Sequence, residues 1–217
     1  MPALDTSVDA AIDAFRDGNP VLVHDFADRE GEVDLVYPAR SVTPADVVRM
    51  RTDAGGLICV ALSHEVAAAF DLPFLVEELD HPAADGGDLG YDSRSSFSLS
   101  VNHRDTYTGI TDDDRARTIT ELGHAAADPD HTDFAAEFRA PGHVHVLRAA
   151  PSLAHRKGHT ELGVALAAAA NREPAAVVCE MLDDETGGAR SVEDARAYAD
   201  RHDLVFVEGA ALVDELA

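Results

Sequence analysis

Three apolar runs constrain this chain most: VLV from Val21, GLICVAL from Gly56 and AAVVCEML from Ala175. Each has the length of a strand, and the first and third read as buried strands because they lack the alternation of a half-wet one. FSLSV, from Phe97, does alternate and predicts a half-buried strand. HVHVL, from His143, and LVFVE, from Leu204, add two more. Helical patterns lie between them. Val8, Ala11, Ile12 and Phe15 share one face, with Ser7 as N-cap. Thr43 caps a second helix that has Pro44 at its first position. SHEVAAAF from Ser63 is a short helix. Thr111 opens a long one with three aspartates behind it, a composition that suits a helix N-terminus. TELGVALAAAAN from Thr160 and SVEDARAYADRH from Ser191 follow. Helices and strands intermix from end to end without a repeat or a dividing linker. The expected fold is α/β or α+β, one domain over residues 1–217 with a mixed sheet.

Hydrophobic residues make up 46% of the chain, enough for a real core despite a formal charge of −24. That core argues against disorder, and the charge then suits a surface adapted to high salt, where self-repulsion is screened. A halophilic source is expected. Sixteen of the 17 basic residues are arginine, and the one lysine is Lys157. With no basic patch to neutralise phosphates, nucleic acid is excluded as a partner. No apolar run is long enough to cross a membrane, and the N-terminus has no signal-peptide pattern. Cys59 and Cys179 sit in apolar runs and read as reduced, buried thiols of a cytoplasmic protein.

Five stretches could carry chemistry. In DREGEVD, Asp28 to Asp34, the residues Glu30, Glu32 and Asp34 alternate, so an extended segment would turn all three to one side. Three converging carboxylates repel unless a cation sits among them, and a hard divalent ion such as Mg2+ prefers such oxygens. The same run is compatible with a solvated acidic turn. In PGHVHVLRA, Pro141 and Gly142 predict a turn that sets His143 at the start of a strand, in a structural or a catalytic role. In HRKGHTELG, the residues Arg156, Lys157, Gly158, His159 and Thr160 precede a helix, whose N-terminal amides plus flanking cations make an anion site. Thr160 would cap that helix, and His159 is a candidate metal ligand. Glu180 follows a buried strand, either facing a cleft as an acid/base group or facing solvent. Thr106, Thr108 and Gly109 form a hydroxyl-rich turn into a helix. Cys59 reads as core rather than nucleophile. The polar stretch 80–96 is a lid over a site or a mobile loop. Together these suit metal-assisted chemistry on a small phosphorylated compound.

In order along the chain, DREGEVD, GGLICVAL, HRDTYTGIT with DRARTI, PGHVHVLRA, RKGHTELGVAL and VVCEMLDD resemble the motifs of the 3,4-dihydroxy-2-butanone 4-phosphate synthases of riboflavin biosynthesis. The similarity runs from about Val21 to Leu182. It implies a three-layer fold and a lyase that converts D-ribulose 5-phosphate to formate and L-3,4-dihydroxy-2-butanone 4-phosphate. The reaction enolises the ketose, removes a hydroxyl, migrates carbon and releases formate. It further implies one or two divalent ions per site, Mg2+ with Mn2+ as an alternative, and a homodimer with sites near the interface. Carried over by motif, Glu30 and His159 would ligate the metal. Arg29 and Asp34 would touch the substrate. Arg156, Lys157, Gly158 and Thr160 would hold its phosphate, helped by Thr108. His143 and Glu180 would be acid/base residues, with Glu32 as a further base or second-metal ligand. Cys59 would line the pocket. RTDAGG departs from the family's usual R-H-T-S-G, and Asp25 and Asp28 read as plain acidic loop. The fused cyclohydrolase domain of many bacterial relatives is not expected, because its zinc-binding cysteines are missing.

Overall fold

The computed structural model describes residues 6–26, 31–84, 89–90, 92 and 94–217. The first half of the chain contributes α1 (Val8–Arg16), β1 (Val21–His24), β2 (Val33–Pro38), α2 (Pro44–Thr52), β3 (Cys59–Leu62), α3 (His64–Ala69), α4 (Leu75–Glu78) and β4 (Phe97–His103). The second half contributes α5 (Asp112–Ala127), α6 (Phe134–Glu137), β5 (Phe138–Arg148), α7 (His159–Ala169), β6 (Ala175–Glu180), α8 (Val192–His202), β7 (Val205–Glu208) and α9 (Gly209–Leu216). The strands form one seven-stranded sheet in the order β4-β5-β3-β6-β2-β1-β7. It is mixed: β3 runs parallel to β5 and β1 to β7, while the other neighbours are antiparallel.

The apolar runs are continuous because both sheet faces are covered. Along each central strand, neighbouring residues go to different cores. Leu35, Val60 and Val177 pack with Met50 of α2, Ile119 of α5 and Tyr198 of α8. Val36, Ala61 and Val178 pack with Phe15 of α1, Leu162 of α7 and Leu212 of α9. The result is an α/β fold with a mixed sheet between two helical layers. Capping follows the sequence. Ser7 accepts from the Ala10 N–H and Thr111 from the Asp114 N–H, and Thr43 and Asp46 form a reciprocal capping box.

Four expectations need correction. Thr160 does not cap α7; the cap is Gly158, the helix starts at His159, and the Thr160 hydroxyl is turned inward and buried without a hydrogen-bond partner. Pro141 and Gly142 do not form a turn ahead of a strand. They lie inside β5, which starts at Phe138, and the Ala140–Pro141 peptide is cis. Proline is tolerated there because β4 and β5 shift register at this point. Asp25 is no solvated loop residue; it is 2% exposed and accepts from the Phe26 N–H at 2.7 Å. The fourth concerns β2, α4, α6 and α9, which have no counterpart in the periodicity reading. The acidic ends of DREGEVD masked the strand, and GAALVDEL is short enough to pass as a tail.

At the register shift, Gly142 packs directly on the β4 backbone: a Cβ on it would sit 1.9 Å from the Val101 carbonyl carbon and 2.3 Å from the Asn102 nitrogen. Backbone cannot yield as a side-chain tip can. Gly142→Ala is therefore expected to destabilise the protein by about 2–3 kcal/mol or more, read as a lowered midpoint in urea unfolding with an unchanged slope.

Candidate active site

The site is built where β2 and β6 run side by side. Their register sets Asp34 opposite Glu180, with Val36 opposite Val178 on the same face. This is the face covered by α7, whose first residue, His159, arrives above the pair. Asp34, His159 and Glu180 each offer a ligand atom, and these atoms lie within 4.8 Å of one another. The His159 Nδ1 stands 3.8 Å from the Asp34 carboxylate. Beside them opens a cavity of about 380 Å³. Glu32, Cys59, Arg156, His159, Thr160 and Glu180 all line it. Four separate sequence stretches thus meet in one place.

Electrostatics single out Asp34. Its side chain is 0% exposed and neither carboxylate oxygen has a hydrogen-bond partner. Burial pushes its pKa up to about 7; His159 pulls it back, while Glu180, Asp25 and Glu32 push it further up. A buried carboxylate without donors, next to an imidazole and a second carboxylate, fits a hard divalent cation better than it fits an empty protein interior. Cys59 is a different case. Burial, and then Glu180, hold its thiol well above the ordinary range, so it lines the wall as an uncharged group.

Arg156 supplies the positive counterpart. Its guanidinium donates to Asp92 and to Glu161, both at 2.5 Å. Burial opposes its charge, but the two carboxylates outweigh that and keep it protonated. Glu161, only 3% exposed, also accepts from the Ala150 N–H at 2.8 Å, tying α7 to the segment that carries Arg156. By sequence alone Glu161 is no more than an acid in the first turn of α7. Described residues of the 80–96 stretch complete the cavity wall, among them Leu89, Asp92, Arg94 and Ser96.

The other candidates fall elsewhere. Arg29 and Glu30 lie outside the described residues. Gly158 is buried as the α7 cap, and Lys157 beside it is exposed. His143 and Thr108 do not line this cavity. Thr108 is exposed and bonds the Asp114 carboxylate at the start of α5. His143 sits on β5, where it meets Asn102 of β4.

Residues 9–215 match the family described as 3,4-dihydroxy-2-butanone 4-phosphate synthase. The chain belongs to this family. It is 49% identical to a 3,4-dihydroxy-2-butanone 4-phosphate synthase of Archaeoglobus fulgidus, over 93% of this chain and 90% of the relative. Among solved structures it resembles a form of the enzyme in complex with two magnesium ions, at TM-score 0.81 and 33% identity, over 96% of this chain and 95% of the other. A two-domain 3,4-dihydroxy-2-butanone 4-phosphate synthase from A. baumannii gives TM-score 0.81 and 32% identity over 96% of this chain, which spans 57% of that longer one. Among the described residues, no helix is long and apolar enough to cross a membrane.

The position of Asp34 has a thermodynamic consequence. Its folded pKa of about 7 lies above its unfolded value, so the folded state binds the extra proton between about pH 4 and 7. Stability without divalent cations should therefore fall as pH rises through that window. Asp34→Asn removes the penalty. In EDTA it is expected to raise the melting temperature above about pH 7, by a margin that vanishes near pH 4. Thermal melts across that range check it, and a variant less stable than wild type at every pH would refute it.

Proposed function

We propose that this chain is a divalent-cation-dependent lyase that converts D-ribulose 5-phosphate to formate and L-3,4-dihydroxy-2-butanone 4-phosphate in riboflavin biosynthesis. The observation that carries this reading is the Asp34, His159 and Glu180 cluster at one end of a cavity walled by Arg156 and the start of α7. Family membership favours the same conclusion.

Glu30 and His159 are proposed to hold Mg2+, or Mn2+ in its place, with one or two ions per site. The relative solved in complex with two magnesium ions supports the choice of ion. When bound, the cation would offset negative charge on the substrate's oxygens. The remaining work falls to the chain. Arg156, Gly158 and Thr160 hold the phosphate, with Lys157 adding positive potential at the rim. The Thr160 hydroxyl, buried and without a partner, is a donor waiting for an acceptor. An anchored phosphate keeps a flexible five-carbon chain in one pose. Arg29 and Asp34 orient the hydroxyls, Asp34 from beside the cation, in the cluster with His159 and Glu180. Glu180 and Glu32, both on the cavity wall, move protons, as does His143. The two cysteines, both free thiols, are compatible with a cytoplasmic enzyme.

The working unit is proposed to be a homodimer with sites near the interface, each chain acting as one domain over residues 1–217. Tyr107 is 92% and Ile110 51% exposed, and both flank Thr108. Large apolar groups left bare in a cluster favour a protein contact. A molar mass of twice the chain in solution is expected.

The decisive experiment is a coupled formate assay on folded protein in high salt. Formate release from D-ribulose 5-phosphate is expected with Mg2+ and not with EDTA. Glu30→Ala and Glu180→Gln should each lower turnover by about 10²-fold or more. Absence of formate from well-folded protein with Mg2+ would overturn the assignment.

A further inference from the structure

His143 places two of its nitrogens on one oxygen. Its backbone N–H donates to the side-chain oxygen of Asn102 at 2.8 Å, and its ring Nδ1 lies 3.2 Å from the same atom. A backbone N–H can only donate, so the Asn102 atom it meets must be the carbonyl oxygen, not the amide nitrogen. A carbonyl oxygen can only accept, so a neutral ring must carry its proton on Nδ1 to make the second contact. The lone pair is then left on Nε2.

We propose that Asn102 is a positioning residue for His143: it holds the imidazole as the Nδ1–H tautomer and fixes its direction, so that Nε2 is the atom that accepts a proton. This rests on the reading of His143 as an acid/base residue.

The surroundings hold Asn102 to that task. It is 4% exposed, so its amide has little room to turn toward water. Gly109, at φ +83°, lies against it, and a Cβ there would fall 2.1 Å from the Asn102 Nδ2. Only glycine gives both that backbone conformation and that approach. The backbone on the other side is equally specific. Val101 pairs with Val144 but Asn102 pairs with Arg139, so Ala140 to His143 have no partner in the strand register of β4. The register shift takes the His143 N–H off the strand ladder and leaves it for the Asn102 side chain. NHRDTYTGIT, from Asn102, and PGHVH, from Pro141, are thus two halves of one histidine mount.

The test combines ring-nitrogen NMR of His143, at a pH where the ring is neutral, with steady-state kinetics on D-ribulose 5-phosphate and Mg2+. Wild-type protein should show the proton on Nδ1. Asn102→Leu, of similar size but without an acceptor, should lose that preference and lower kcat by about 10- to 100-fold with KM unchanged. Asn102→Asp restores an acceptor and should keep the tautomer and more of the activity. A bare Nδ1 in wild type, or full kcat in a folded Asn102→Leu protein, would overturn the proposal. If Asn102→Leu does not fold, the wild-type spectrum and Asn102→Asp decide it. His143→Gln separates the two levels: full formate release from that variant would refute the acid/base reading and the kinetic half of the proposal. The tautomer would still stand or fall on the spectrum.

Discussion

The pairing of β2 with β6 sets Asp34 opposite Glu180, and much of the molecule exists to make that tolerable. Two like charges side by side on one sheet face repel. Asp34 is also sealed from water and has no donor hydrogen bond on either oxygen. A protein that only needed to be stable would place a valine there, as it does two residues along at Val36 and Val178. The cost is offset in part by His159, brought to the spot because α7 starts with it. The rest is met by protonation near pH 7 or by a cation. The site is thus frustrated when empty, a usual condition for a centre built to bind.

That arrangement depends on the sheet being mixed. β6 lies between β2 and β3 and runs antiparallel to both, so its C-terminal end, carrying Glu180, meets the starts of its neighbours. Cys59 opens β3 and Asp34 lies near the start of β2. All three therefore collect at one sheet end, where α7 delivers the amides, His159 and Thr160. Glu161 then fixes the approach of Arg156. Its carboxylate holds both the guanidinium and the Ala150 N–H, so the cationic arm cannot drift from the helix start.

Much of this was legible in the sequence, for identifiable reasons. The central strands declared themselves because burial on two faces leaves a run with no polar positions. Ser7, Thr43 and Thr111 announced their helices because a hydroxyl before an apolar period is a local signal. The features that stayed hidden depend on partners far along the chain. β2 was obscured because its acidic start looked like solvent-facing charge, when Asp34 is in fact fully buried. Thr160 looked like a cap because caps are recognised by residue type, whereas a glycine cap frees the threonine for an inward role. Pro141-Gly142 looked like a turn because that dipeptide usually makes one. Only the register of β4 against β5 shows that glycine there admits a neighbouring backbone.

The surroundings of Asp34 and of His143 are made by opposite means. At Asp34 the fold removes partners: oxygens are left without donors so that their demand falls on something that arrives later. At His143 the fold supplies a partner, binding one ring nitrogen and the backbone amide to the same Asn102 oxygen. The first strategy creates affinity for a cation, since a bare buried carboxylate gains most from meeting positive charge. The second creates direction, since a histidine with one nitrogen committed has only the other to offer. The proposed reaction, which would hold an anionic sugar intermediate and move protons at defined atoms, calls for both. Neither would survive on a mobile loop, and both are anchored on strands of the same sheet.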